Sequence, residues 1–439
     1  MQKLIAGKKI KRYVVIVLVV TCLAGLFTYI QWKINKPLAL EMALYSGNAW
    51  NVPQKDAYHV YDEVAKMFES KYTDRKVKIK FRTGRMIQDY SEWFAEQVLK
   101  GKELDVFLIL EEDFSTYASI GLLEDLTPYI ENDREFRKED FYQKALLGGQ
   151  YYGRQYSLPF EVAPSFLVVN KTILKSENIE IDENNWNWNT FYDICRRVTK
   201  DFDGDGTPDQ FGVYGFDWDD AFYTNDTALF SSDGKSISFR DDRMLETIDF
   251  MKSLFTLNRG TVLKSSHFEK GQVAFKTFTL PEYRAYGTYP YRILKYENFE
   301  WEAIPFPSGP NGNSSSKLYT VQIGMSSRSK HKNEAFEFIK FMTNSKEAQE
   351  KVWHETYTLP VLKSVVEQLD MQELQKNKEM NKAFFEKIIA QSHLNPYFKN
   401  FSHLKSMMDQ QIFQIIAQDL DPVSGLNNLK AMLEKLIAD

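Results

Sequence analysis

From residue 38 to residue 110 the chain switches twice between two hydrophobic periods. Residues 38–46 (LALEMALYS) alternate and then run apolar, which predicts a strand. Residues 58–72 place Val60, Val64 and Phe68 on one face, with Ala65 and Met67 beside them, which predicts a helix. Residues 77–81 (VKIKF) alternate as a strand, 90–99 return to helical spacing, and 105–110 (DVFLIL) are continuously apolar, as in a strand buried on both faces. Strand, helix, strand, helix, strand predicts a parallel α/β sheet. Such sheets place ligands in the loops beyond the carboxyl ends of their strands. Here those loops carry Asn48 and Trp50, then Glu111, Glu112 and Asp113.

Later segments extend the pattern. Residues 153–170 (GRQYSLPFEVAPSFLVVN) are strand-rich but interrupted by Pro159 and Pro164, and read as a crossing between domains. Helices are expected over 188–199, capped by Asn187 or Asn189, and over 244–257, 334–343 and 426–437. Residues 308–316 (SGPNGNSSS) read as a flexible connecting loop, and no internal repeat is present. A chain of 439 residues exceeds one compact domain. With two cysteines and six scattered histidines, a disulfide scaffold, a cysteine-based metal site and a zinc protease are all excluded.

Residues 13–32 (YVVIVLVVTCLAGLFTYIQW) carry no charge over 20 positions, about what a bilayer crossing requires. Lys8, Lys9, Lys11 and Arg12 precede them, so residues 1–12 are expected in the cytoplasm and everything after Lys33 outside. The expectation is an uncleaved anchor on the outer face of the cytoplasmic membrane, at the cell surface or in the periplasm. A cleaved signal and a lipidated Cys22 are the alternatives, although no A-x-A-like site follows the run and Thr21 is a poor lipobox residue. The first 36 residues hold seven cations and no acid, so the overall charge of −5 conceals a body at −12. That acidity argues against nucleic-acid binding.

The segment Asp201-Phe-Asp203-Gly-Asp205-Gly-Thr207-Pro-Asp209 spaces carboxylates at loop positions 1, 3, 5 and 9, with Gly206 at 6 and Thr207 offering a carbonyl at 7. This is the alternation by which a tight loop gathers oxygens around Ca²⁺. Position 12 is Gly212 where an EF-hand has a bidentate Glu, and Pro208 is at position 8. A structural Ca²⁺ is expected, since four acids in nine residues repel one another without a cation.

Taken together, several collinear motifs resemble those of bacterial extracellular solute-binding proteins of the sugar-binding class, the receptors of ABC importers, to which maltose-binding protein belongs. They are Asp105-Val106 with Gly121-Leu122-Leu123, Gly153 to Pro159 with Asn170-Lys171, Trp188 to Phe191, the aspartate loop ending at Phe211-Gly212, Phe268 to Phe275, and Glu334 to Met342 with Ser345 to Gln349. The resemblance implies an α/β, two-lobed periplasmic-binding-protein-like fold with a discontinuous chain and an interlobe cleft. Carrying the family's crossings onto this chain places one lobe at 38–159 plus 306–344 and the other at 160–305 plus 345–439. It further implies an oligosaccharide ligand, closure of the lobes upon it, an ABC permease as partner, and no enzymatic activity.

Sugars present apolar C–H faces and rings of hydroxyls, so aromatic rings beside carboxylates or amides are the residues sought. Asn48, Trp50, Glu111, Glu112 and Glu161 meet that description on loops or at the hinge, and Asp217, Trp218 and Asp219, with Asp220, Phe222 and Tyr223, form the richest cluster. The resemblance adds Phe278 and Tyr283 in the stretch where relatives carry a stacking Trp, and Tyr283 is the leading stacking candidate. Tyr319 with Gln322, and Tyr357 before Leu359-Pro360, complete the set, and Arg284 would pair an acidic saccharide. Two other readings stand beside the receptor: an anchored saccharide sensor with the same fold, and a glycosidase. The glycosidase needs two carboxylates across a cleft, and no nucleophile motif accompanies Glu111 and Glu161.

Overall fold

Strand β1 (Leu38–Ala43) pairs in parallel with β2 (Val77–Arg82) and β3 (Val106–Ile109), with α1 (His59–Lys71) and α2 (Ile87–Leu99) as the crossovers. The computed structural model describes residues 18, 21, 23–28, 37–47, 58–72, 76–82, 85–102, 104–227, 230, 237, 241–286, 299–371, 380–394, 396, 401–418 and 420–438. The parallel core expected from the alternating periods is therefore present. The burial explains its period: β3 is buried at all its positions, while β2, at the sheet edge, alternates.

After α3 (Glu111–Ser119) comes β4 (Ser157–Asn170), the crossing segment, a 14-residue strand buried throughout. Its first half pairs antiparallel with β8 (Leu318–Met325) and β9 (Leu359–Pro360). Its second half pairs with β6 (Val273–Thr279) and β7 (Trp301–Ile304). Beyond β6 lies β5 (Phe211–Tyr214), so the strand order along the path is β2-β1-β3-β8-β4-β6-β5. Pro159 is accommodated where the register of β8 shifts by a bulge between Val321 and Gln322, and Pro164 pairs with Leu318, the first residue of β8.

Helices flank the second half: α4 (Trp188–Val198), α5 (Trp218–Thr224), α6 (Asp241–Leu257), and the late pair α10 (Phe401–Ala417) and α11 (Pro422–Ala438). Asn187 caps α4, accepting from the backbone N–H groups of Asn189 and Thr190 while Thr190 Oγ1 accepts from its own N–H. Between the lobes' segments run α7 (Lys332–Asn344), α8 (Lys346–Glu355) and α9 (Lys382–Gln391). Two buried clusters result. One gathers the first half of the sheet with α1, α2 and α7 and runs on to Phe166, Phe268, Phe278 and Tyr283, the other gathers α4, α5, α6, α10 and α11.

The division at Asn344 needs correction. Ala348, Val352 and Trp353 of α8 and Phe384, Phe385 and Ile388 of α9 lie in the first cluster. Helix α8 packs on α1, joined by Lys351–Glu63 at 3.4 Å. Gln349, fully buried, donates to the carbonyl of Phe160 and accepts from the N–H of Val361. Helix α8 thus packs with the first lobe, whereas Leu404, Met408, Leu429 and Leu433 of α10 and α11 lie in the second cluster.

The loop over 308–316 is docked where a flexible connection was expected. Its Asn311 donates to Asn225 Oδ1 and to Glu246 Oε2, and a Cβ on Gly312 would lie 2.2 Å from the Thr224 carbonyl. Of residues 13–32, those at 18, 21 and 23–28 are described; they are helical and exposed, and among the described residues no helix is long and apolar enough to cross a membrane.

Candidate functional site

Helix α3 begins directly after β3, so Glu111, Glu112 and Asp113 occupy its first turn, where the helix dipole favours carboxylates. Asp113 turns inward and accepts from Ser91 Oγ and Tyr117 OH, and burial raises its carboxyl. Glu112 stays exposed. Glu111 is half-buried and faces the other half of the molecule: its charge contributes to the raised phenols of Tyr223 on α5 and Tyr319 on β8. Burial is the main cause at both, and Tyr319 is pushed up to about 12. Glu111, Tyr223 and Tyr319 therefore converge from three elements that are distant in sequence.

Beneath Tyr223 and Tyr319 lies a buried charge network. Lys317, one residue before β8, reaches Asp219 Oδ2 at 2.7 Å and Asp220 Oδ1 at 3.6 Å on α5. Lys405 of α10 lies 3.3 Å from the same Asp219 oxygen and 2.6 Å from Asp409. Burial works to raise the Asp219 carboxyl, but the two ammonium groups overcome it and hold the acid below its usual range. Asp220 has only the more distant contact with Lys317, and burial with the charges of Asp219 and Asp217 pushes it up to about 7. Trp218 is fixed by the same network. Its indole N–H donates to Asp409 at 2.9 Å, and the Lys405 ammonium sits 4.6 Å from the ring centroid. Asp217, at the start of α5, is exposed and donates its backbone N–H to Asp220.

Of the 217–223 cluster, Tyr223 is the member that feels the Glu111 charge, while Trp218 and Asp219 are engaged with Asp409, Lys317 and Lys405. Lys317, Lys405 and Asp409 escaped the sequence reading because nothing local marks a lysine whose partner lies 98 or 186 residues away. His393, whose ring stacks on Tyr223 at 4.5 Å and 17°, was missed for the same reason.

Other candidates fall elsewhere. Phe278 is buried on β6 under the Lys276 ammonium, 4.0 Å from its centroid. Tyr283 is also buried, edge-on to Phe166 and 4.9 Å from Trp301. The leading stacking candidate is a core ring, because β6 carries the segment inward and Trp301 covers its outer side. Gln322 is buried and bonded to Ser157 Oγ and Thr320 Oγ1. Arg284 is buried too, its guanidinium 3.8 Å above the Trp353 ring and donating to the carbonyls of Trp353 and Thr358. It holds the backbone around half-buried Tyr357 instead of meeting a ligand charge. Asn48 and Trp50 lie outside the described residues.

Glu161 is buried at the junction of β4, β8 and β9, where it accepts from Thr358 Oγ1 at 2.8 Å. Burial pushes its carboxyl up to about 7, and its charge adds to the burial that raises the phenols of Tyr45 and Tyr61. A raised carboxyl holds more protons folded than unfolded, so its ionisation costs stability as pH rises from about 4.5 to 7, and the cost vanishes below the unfolded value. The shift corresponds to ~3 kcal/mol. Glu161→Gln should therefore match the parent in urea unfolding at pH 4.5 and exceed its stability above pH 7.5. Equal stability of the two at both pH values would remove this assignment.

The aspartate loop is formed. Asp201 accepts from the N–H groups of Gly204 and Gly206, both at positive φ, and Asp209 from Phe202. One carboxylate oxygen each from Asp201, Asp203 and Asp209 lies within 4.8 Å of the others, a separation that suits a shared cation. Asp205 is outside this trio and accepts from its neighbour Thr207. The missing ligand at position 12 has a packing cause: a Cβ on Gly212 would lie 2.6 Å from Cys195 Cβ, so β5 closes on α4 only with glycine there.

Against known families, residues 47–349 match the model of the bacterial extracellular solute-binding protein. The chain belongs to that family. The fold of this solute-binding protein recurs in solved structures at low identity. The ABC substrate-binding protein Lmo0181 from Listeria monocytogenes, solved with cycloalternan, is 18% identical with a TM-score of 0.68, covering 92% of this chain and 100% of that one. The sugar-binding protein MalE from Xanthomonas citri is 14% identical with a TM-score of 0.75, covering 91% and 97%. The cyclic alpha-maltosyl-1,6-maltose binding protein from Arthrobacter globiformis is 16% identical with a TM-score of 0.73, covering 91% and 100%. At these identities the likeness is one of fold, with the two-lobed α/β architecture in common.

Proposed function

We propose that this solute-binding protein is the extracellular oligosaccharide receptor of an ABC importer. It closes its two lobes on the saccharide and presents it to a membrane permease. The observation that carries this reading is the approach of Glu111 to Tyr223 and Tyr319, a carboxylate and two rings from separate elements, with Trp218 beside Tyr223 on α5. The ligands named for the structural relatives, among them cycloalternan and maltotetraose, point the same way. Binding without chemistry fits the site. Asp219 and Asp220 are committed to lysines, and Glu161 is buried in a strand junction and bonded to Thr358. Calorimetry against maltotetraose, mannotriose, cycloalternan and a uronate oligosaccharide tests the reading. Saturable binding with intact sugar recovered supports it; release of reducing ends, or binding of none of the four, overturns it.

The uncharged run over 13–32 favours retention on the outer face of the membrane, by an uncleaved helix. That anchor also suits a sensor, and uptake of the bound saccharide after deletion of the permease genes separates the two roles.

The aspartate loop is proposed to hold a structural Ca²⁺ through Asp201, Asp203 and Asp209, with Arg259, 3.6 Å from Asp201, supplying part of the counter-charge. At a hundredfold excess over Kd, Ca²⁺ should stabilise the chelator-treated protein by about 2.7 kcal/mol. Asp203→Asn should abolish the rise in melting temperature. A parent protein indifferent to millimolar Ca²⁺ would end the proposal.

A further inference from the structure

A cavity of about 140 Å³ lies beside the saccharide face, between α5 and α10. It shares Trp218, Asp219 and Tyr223 with that face, and continues inward past Phe222, Phe230 and Met408. Leu394 and Phe401 close another side. Such a lining is unlike the hydroxyl-rich surroundings that a sugar ring needs, because most of its atoms are aromatic or aliphatic carbon. Its size matches a single six-membered aromatic ring: an engineered cavity of about 150 Å³ with a comparable apolar lining takes up benzene.

Among the described residues, the ionisable groups at the wall are engaged. Asp219 is held by Lys317 and Lys405, and Lys405 also by Asp409. Asp226 pairs with Arg243 at 3.0 Å. His393 is kept neutral by burial and by the charge of Lys144, which bring it down to about 4. A charged guest would find no counter-charge that is not already engaged, and would lose its own hydration on entry.

We propose that this cavity is a subsite for an uncharged aromatic ring, such as the aglycone of a glycoside whose sugar rings lie against Trp218 and Tyr223. The site rests on the saccharide reading only for the sugar part of that ligand, while the cavity is defined by its own lining. An aryl glycoside then gains the burial of one ring over the parent sugar, about a tenfold tighter Kd.

The test uses the full chain and three kinds of probe: 4-cresol alone, maltotriose, and 4-nitrophenyl maltotrioside. The expected results are a rise in melting temperature with 4-cresol and at least tenfold tighter calorimetric binding of the aryl glycoside than of maltotriose. Leu394→Trp, which fills the cavity from its half-buried wall, should remove both gains and leave maltotriose binding as it was; Leu394→Phe serves if the larger ring prevents folding. Equal Kd values for the two saccharides, with no response to 4-cresol at its solubility limit, overturn the subsite and leave the receptor reading intact. A 4-cresol response lost in the Leu394 variants, with neither saccharide bound, supports the cavity and removes the saccharide reading instead.

Discussion

Trp353→Ala is expected to lower the stability of the protein by about 4 kcal/mol. Trp353 is 1% exposed, the largest side chain among those fully buried, and it belongs to α8, the helix that packs on α1. Removing it leaves a cavity between two helices that are held by the rest of the fold, so the site collapses only in part. The loss extends beyond the ring. The Arg284 guanidinium lies 3.8 Å above the indole and donates to the carbonyls of Trp353 and Thr358. Stripped of the aromatic face, the buried cation loses its stacking contact, which adds up to ~2 kcal/mol to the cost. Thr358 in turn donates to Glu161, so the disturbance reaches the strand junction. Trp353→Phe keeps an aromatic face and should recover more than half of the lost stability. Urea unfolding of the three proteins decides the matter, and a loss below 1 kcal/mol for the alanine variant would show that Trp353 does not hold this junction.

Trp353 and Glu161 also show where sequence reading stops. The parallel unit β1-α1-β2-α2-β3 was legible because each element has its own period and each buries one face against the next. The Asn187 cap was legible because its geometry is local, from Asn187 to Thr190. Glu161, read as a hinge contact for the saccharide, carries a signal that points to burial: it is a single carboxylate inside the apolar run 157–170. Only the pairing of β4 on both edges, with β8 and with β9, shows that no position of that strand reaches water. Tyr283 misled for the opposite reason. Its place in a family segment suggested a cleft-facing ring, whereas Trp301, brought in by β7 from further along the chain, covers it. The packing of α8 on α1 was not legible because a helix pattern says which face is apolar and not which core that face joins. The proposed binding face combines both kinds of information. Glu111 and the 217–219 motif were visible as loop chemistry, but their partners Lys317 and Lys405 enter through tertiary pairing alone.

Lys317→Met is expected to be as damaging as the loss of Trp353, and its pH dependence identifies the cause. Lys317 is the only cation within 4 Å of Asp220 among the described residues, and it shares Asp219 with Lys405. Replacing one partner of a buried ion pair leaves uncompensated charge, which costs about 3–5 kcal/mol. Burial disfavours the Lys317 ammonium, but Asp220 and Asp219 outweigh it and hold its pKa well above the usual lysine value. The stability it contributes is therefore fully present below pH 10 and is lost only in strong base. In the variant the carboxyls decide the profile. Asp220 already stands near 7 beside the ammonium and rises further without it. A raised acid destabilises the fold when ionised, so the deficit of Lys317→Met should be largest near pH 8 and shrink as pH falls toward 4, where Asp220 is protonated in the folded form of both proteins. Adding Asp219→Asn and Asp220→Asn should restore most of the stability at pH 8 by removing the orphaned charges. Affinity for the saccharide should not return with it, because the orientation of α5, and with it Trp218 and Tyr223, depends on the ammonium that crosses from the start of β8. If the triple variant regained full saccharide affinity, the network would be a stabilising device without influence on the binding face. If the deficit of the single variant were the same at pH 4 and pH 8, buried carboxylate charge would not be its origin.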